Sequence, residues 1–216
     1  MLIEIFLGLI FFSMFATVIM TFVGTFWIDR LYRSSAELTF PEKISDRSRF
    51  RRPILFCSFA VLNGIIFLST NMPEKFFLPA AIFFLVLMTV TDFEQYMILD
   101  AMTLPFAILG AAYVWQMNLD IFDHATAAVI GGGFFLLLAI FTKGAIGGGD
   151  VKLVAALGLW LGSENLLNVV IFATLIGGLA ATFMILAKQK DCNSYFAYGP
   201  YFALTAIYFL VAPQPL

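Results

Sequence analysis

Runs free of Asp, Glu, Lys and Arg fall at Ile5–Ile28, Pro53–Pro73, Phe76–Thr91, Ala101–Leu119, Ala125–Thr142, Asn165–Ala187 and Cys192–Leu216. Each can supply a helix near the roughly 20 residues needed to cross a bilayer, with Phe76–Thr91 the short one. An eighth candidate, Leu153–Leu161, is shorter still between its flanking charges. It spans if Lys152 snorkels or if the helix starts inside the glycine turn before it. The pattern predicts an all-α, polytopic membrane protein with about eight transmembrane helices. Composition agrees: 62% of residues are hydrophobic, 26 are Phe, and only 12% are charged, about half the charged share of a soluble domain.

The charges between the runs predict an orientation. With eight spans, one side receives Arg30, Arg33, Lys43, Arg47, Arg49, Arg51, Arg52, Lys143, Lys152, Lys188 and Lys190, and the other only Lys75. Basic residues gather in cytoplasmic loops, so this side is expected to be cytoplasmic. The sixth span gains support, since without it Lys188 and Lys190 would move outside. The start MLIEIFLG has no basic n-region and no clear small-residue cleavage site, so the first span reads as a retained anchor. The expected organisation is a first helix at 1–28, a basic cytoplasmic loop at 29–52 that touches anionic lipid headgroups, and a membrane core at 53–216. Gly131–Gly133 and Gly177–Gly178 lie inside apolar runs, where small residues let helices approach closely.

Cys57 falls in the second span and Cys192 at the inner end of the last; there is no CxxC pair, and the single histidine, His124, reads as a solvated loop residue. That leaves no metal-ligand set, and no cofactor is expected.

The candidate chemistry lies in aspartates at the predicted cytoplasmic rim. Asp92 closes the apolar run FFLPAAIFFLVLMTVTD, and Asp150 closes the turn GAIGGGD. A carboxylate at a membrane edge is costly without a partner or a task. Asp150 alone reads equally as a helix N-cap, but three adjacent glycines also let the backbone pass close to a neighbour or a substrate. If the two carboxylates converge, they cannot both ionise easily, and one keeps a proton. The charged one then takes a proton from an attacking water and the protonated one donates to a peptide carbonyl. Asp100, before the next run, reads as an N-cap. Glu94 and Asp100 are positioned to attract a basic substrate, though the simpler reading has them solvated or capping.

These residues resemble the type IV prepilin peptidases, aspartic membrane proteases of the GxGD type. Gly147-Gly148-Gly149-Asp150-Val151-Lys152-Leu153 is similar to the family's G-x-G-D-x-K-L motif at every fixed position. Asp92 followed by Ile98-Leu99-Asp100 resembles its Asp and Ile-Pro-Asp pair, with Leu99 in place of proline. Tyr198-Gly199-Pro200 looks like its Phe-Gly-Pro segment. The resemblance runs from about residue 80 to 210. It implies catalysis by Asp92 and Asp150, supported by Gly147, Gly149, Lys152, Asp100, Gly199 and Pro200. The implied substrate is the basic leader of a type IV prepilin or pseudopilin, of a pilus or a type II secretion system, cut at the cytoplasmic face of the bacterial inner membrane. Expected partners are that leader and membrane lipid, with no nucleic acid.

Many members also methylate the new N-terminus and carry two CxxC pairs after the first helix. Here Val23-Gly24-Thr25-Phe26 resembles the family's Gly-Ser-Phe, and Phe50-Arg51-Arg52-Pro53-Ile54-Leu55 its Arg-Tyr-Pro-Leu-Val-Glu segment. The 29–52 segment has no cysteine, however, and Phe56 stands where the glutamate is expected. The resemblance therefore carries proteolysis rather than methylation. Two other classes stay open: a proton-coupled or cation transporter using Asp92 and Asp150, and an inactive pilus-assembly factor. The presenilin type shares Gly-x-Gly-Asp but has a Pro-Ala-Leu segment that this chain lacks.

Overall fold

In the hydrocarbon region no water is available to the backbone, so each apolar run pairs its N–H and C=O groups internally, as helix. The computed structural model describes residues 2–35, 38–69, 74–143, 146–188 and 196–211, and no strand occurs among them. Cys192 and Lys190 lie outside the described residues, as does the side chain of Lys75. The helices are α1 (Leu2–Ser34), α2 (Ile44–Arg47, after a 3₁₀ turn at Pro41–Lys43), α3 (Arg51–Ser69), α4 (Glu74–Gln95), α5 (Asp100–Gln116), α6 (Ile121–Phe141), α7 (Gly148–Leu186) and α8 (Gly199–Val211).

Among the described residues five helices have the length and apolar composition to cross a membrane: α1, α3, α4, α6 and α7. The chain is a multi-pass membrane protein. This is fewer than the eight spans expected from the uncharged runs, because α5 has 17 residues and α8 has 13, and α7 counts as one helix.

Helix α7 is two arms. Gly162 has φ +70° and ψ −177°, a region that glycine alone occupies without strain. A Cβ on Gly131 of α6 would meet both Leu166 and Val154, which lie on either side of Gly162. Further along, Gly177 packs against the ring of Tyr198, beside the start of α8. The second arm therefore turns back along the first, as the weak sixth span and its successor require. The break frees backbone groups, and the start of α6 takes them up. Asp123 accepts the N–H of Ser163 at 3.1 Å as well as its hydroxyl, and His124 Nδ1 lies 3.0 Å from the Leu159 carbonyl oxygen. His124 is thus buried in the first turn of α6, not a solvated loop residue, because an unpaired carbonyl at that break needs a partner.

Close crossings explain most of the interior glycines. Gly132 lies against Ala155, and Gly158 against the backbone of Ala127 and Ala128, while Gly133 has open space. Gly110 of α5 gives room to Trp160, whose ring stacks on Phe106 and Tyr113 and whose Nε1 donates to the Phe106 carbonyl at 2.9 Å. Helix α4 lies at the centre: 61% of its most apolar stretch is buried, against 17–33% in the other four spans. The end of the most enclosed helix is where Asp92 sits.

Candidate active site

Asp92 is 6% exposed in the last turn of α4. The helix ends four residues later at Tyr96, a non-glycine residue at φ 52° whose N–H bonds back to the Asp92 carbonyl at 2.9 Å. That left-handed residue turns the chain into 97–99, and Leu99 then sets up α5 at φ −83°, ψ 133°. Proline prefers a similar φ, so the backbone at Leu99 has the form expected of the motif without its proline.

Asp150 comes to the same place from α7. Gly147 is the N-cap, which makes Asp150 the third residue of the helix. Its carboxylate turns back over Gly147, with Oδ2 3.3 Å from where a Cβ on that residue would stand, the placement of the acid in a capping box. Asp150 is therefore not the N-cap itself, because the helix starts three residues earlier, at the glycine turn. Of the three glycines Gly149 is the most tightly required: a Cβ there would lie 2.9 Å from Ile98 Cβ and 3.3 Å from its carbonyl oxygen. Gly148, the variable position of the motif, has nothing within 4 Å.

Helix α8 closes the arrangement. The Gly199 N–H donates to Asp92 Oδ2 at 2.9 Å. A Cβ on Gly199 would lie 2.8 Å from that oxygen and 2.9 Å from Ile98 Cδ1. Ile98 is thus gripped between Gly149 and Gly199, which draws three helix ends together. Pro200 follows in the first turn of α8, where a missing N–H costs nothing. Ile98, packed on both Gly149 and Gly199, links the turn that carries Asp150 to the residue that binds Asp92. Asp92, Asp150, Gly147, Gly149, Gly199 and Pro200 all gather here.

Asp100 and Lys152 stand at the edge. Lys152 Nζ lies 2.7 Å from both carboxylate oxygens of Asp100, and the two side chains are 55% and 69% exposed. Asp100 is therefore not the N-cap: Leu99 holds that position without a side-chain bond, and Asp100, one residue on, reaches across to α7.

The larger departure concerns Glu94, which is neither solvated nor a cap. It is 5% exposed and takes the Arg51 Nε at 2.8 and 3.1 Å, with the Tyr32 hydroxyl donating to it at 3.0 Å. Arg51, 3% exposed, also pairs with Asp29 and lies 5.1 Å over the Tyr32 ring. A desolvated guanidinium and carboxylate must be paired and fully hydrogen-bonded. So the 29–52 segment is more than a loop on lipid. Its first residues continue α1, and its Arg47 and Arg51 turn inward. Sequence offered one signal for the pair, an acid two residues after Asp92 at the close of an apolar run.

The membrane helices thus bring two aspartates to one place at helix ends, beside a backbone N–H donor. Residues 79–182 match the type IV leader peptidase family. Among similar proteins is a prepilin leader peptidase/N-methyltransferase of Xanthomonas campestris pv. campestris, 30% identical over 130 residues, covering 56% of this chain and 44% of the relative. The protein of that description from Neisseria gonorrhoeae is 36% identical over 123 residues, covering 54% and 42%. That of Dickeya chrysanthemi is 31% identical over 165 residues, covering 70% and 57%. The chain spans about half the length of the curated relatives it matches. No solved structure matches it.

Proposed function

We propose that this protein is an aspartic endopeptidase that removes the basic leader from type IV prepilins or pseudopilins. The observation that carries the reading is the convergence of Asp92 and Asp150, both inside the matched domain, at one point where the Gly199 N–H orients the Asp92 carboxylate.

The reaction needs no covalent intermediate. One carboxylate takes a proton from a water as its oxygen attacks the scissile carbonyl, and the other donates a proton to the carbonyl oxygen. The C–N bond then breaks with proton transfer to the leaving nitrogen. The half-buried approach past Asp150 and the open Asp100–Lys152 pair leaves a way in for a peptide from the rim.

The distribution of basic residues favours eight crossings, with α5, both arms of α7 and α8 each crossing once, and a site facing the cytoplasm of the bacterial inner membrane. The 29–52 segment has no cysteine, and we expect proteolysis without N-methylation.

Co-expression with a panel of type IV prepilins, read by intact mass, tests this. The expected result is loss of the leader from at least one of them, without the added mass of about 14 Da that a methyl group brings. A whole panel left uncut with the protein present in the membrane would overturn the peptidase reading in favour of the transporter or assembly classes.

A further inference from the structure

Four consecutive residues follow Asp92, and the 29–52 segment holds each of them. Arg47 donates to the Phe93 carbonyl at 2.9 Å. Arg51 takes the Glu94 carboxylate through Nε and Nη2. Gln95 and the backbone of Phe40 exchange two hydrogen bonds, Phe40 N–H to Oε1 at 2.8 Å and Nε2 to the Phe40 carbonyl at 3.3 Å. The Tyr96 ring lies edge-on to Phe40 and under the Arg47 guanidinium, 5.0 Å away. Among the described residues nothing comparable surrounds Asp150, whose turn is held by its own backbone and by Ile98.

Lipid contact cannot account for this. Solvated headgroups would draw Arg47 and Arg51 outward, yet Arg51 is buried with a bidentate carboxylate, an aromatic ring and a second acid. A bidentate guanidinium fixes direction as well as distance. Here it locks α1, α3 and α4 to one another two residues past Asp92. This segment also lies outside residues 79–182, the part that matches the family.

We propose that residues 29–52 form a clamp on the end of α4, and that Arg51, acting through Glu94, is a positioning residue that aims the Asp92 carboxylate at Gly199 and Asp150. Arg51 touches neither carboxylate of the pair. Its effect passes along one turn of helix, and the clamp is the part of the chain that makes the Asp92 wall rigid. The catalytic half of this inference rests on the peptidase reading above; the structural half does not.

The two halves have separate readouts. Gly199 is the first residue of α8, where an N–H has no acceptor within its own helix, and its bond is to Asp92 Oδ2. Hydrogen exchange at the Gly199 amide, in full-length protein in lipid nanodiscs labelled with ¹⁵N-glycine, therefore reports where Asp92 points. Arg51→Met combined with Glu94→Gln removes both charges together, so that no orphan ion drives unfolding. In this variant the Gly199 amide is expected to lose protection, and the kcat for a prepilin cut by the wild type to fall about a hundredfold, as for a misplacement near 1 Å, with KM little changed. Arg51→Lys, which keeps the charge and loses the fork, should fall between.

Unchanged Gly199 protection, or unchanged kcat, in a folded double variant would overturn the proposal. If that variant does not fold, Tyr32→Phe, which removes one bond to Glu94, gives the same test with a smaller expected loss. Should the wild type cut no prepilin, the peptidase reading fails, and the Gly199 amide alone still decides whether Arg51 holds Asp92 in place.

Discussion

Asp92 ends the most enclosed helix, and the four residues after it are each bound by the 29–52 segment. Asp150 is half-buried at the start of α7, behind a turn of glycines, and the charged pair beside it is open to its surroundings. The two walls of the site are built differently. One is a buried ionic lock that holds a carboxylate still; the other is a glycine-lined turn that lets a second carboxylate approach while leaving room beside it. On the proposed peptidase reading the site has to admit a peptide and still orient two acids, which needs both qualities.

Substitutions can break that contrast. The largest effect on stability is expected from Glu94→Ala. It leaves the Arg51 guanidinium buried and short of its main partner, at a cost of about 3–5 kcal/mol that thermal unfolding in nanodiscs would register. Gly199→Ala comes next, because its Cβ would fall 2.8 Å from Asp92 Oδ2. Overpacking costs roughly 1–3 kcal/mol, and the displaced carboxylate should take most of the cleavage rate with it. Gly149→Ala should cost a similar amount through Ile98. Gly148→Ala, one residue earlier with open space around it, should stay within about 0.5 kcal/mol of wild type and keep its activity. Asp100→Asn should be comparably mild for stability: an exposed ion pair contributes about 0–1 kcal/mol. A Gly148→Ala protein as damaged as Gly149→Ala would remove the distinction drawn between the two glycines.

The membrane class and the catalytic candidates were legible because their signals are local. Uncharged runs read as helices, and Asp92, Gly149, Asp150 and Gly199 stand at run edges or in short glycine-rich turns. The return of the second arm of α7 was legible only through the charge balance, since Lys188 and Lys190 would otherwise change sides. Nothing local marks Gly162 as the reversal.

The clamp was harder to see. Arg51 sits among six other basic residues in 29–52, and a basic stretch after a first membrane helix has an ordinary explanation in topology. Its pairing with Glu94 spans 43 positions and depends on how α1, α3 and α4 pack. His124 was misread for a related reason. Its place in a short polar segment suggested solvent, while its partner is the Leu159 carbonyl, 35 residues away and freed by the break at Gly162. Asp100 looked like a cap because it stands where a cap would, and the cross-helix partner that claims it, Lys152, is 52 residues on.

The central claim is that Asp92 and Asp150 work as one pair. The direct test is the cleavage rate of a prepilin by the purified wild type, Asp92→Asn and Asp150→Asn in nanodiscs, with thermal unfolding as the check that each variant keeps its fold. The account predicts that each single substitution reduces cleavage to background while the protein remains folded in the membrane. Cleavage at the wild-type rate by either variant would contradict it.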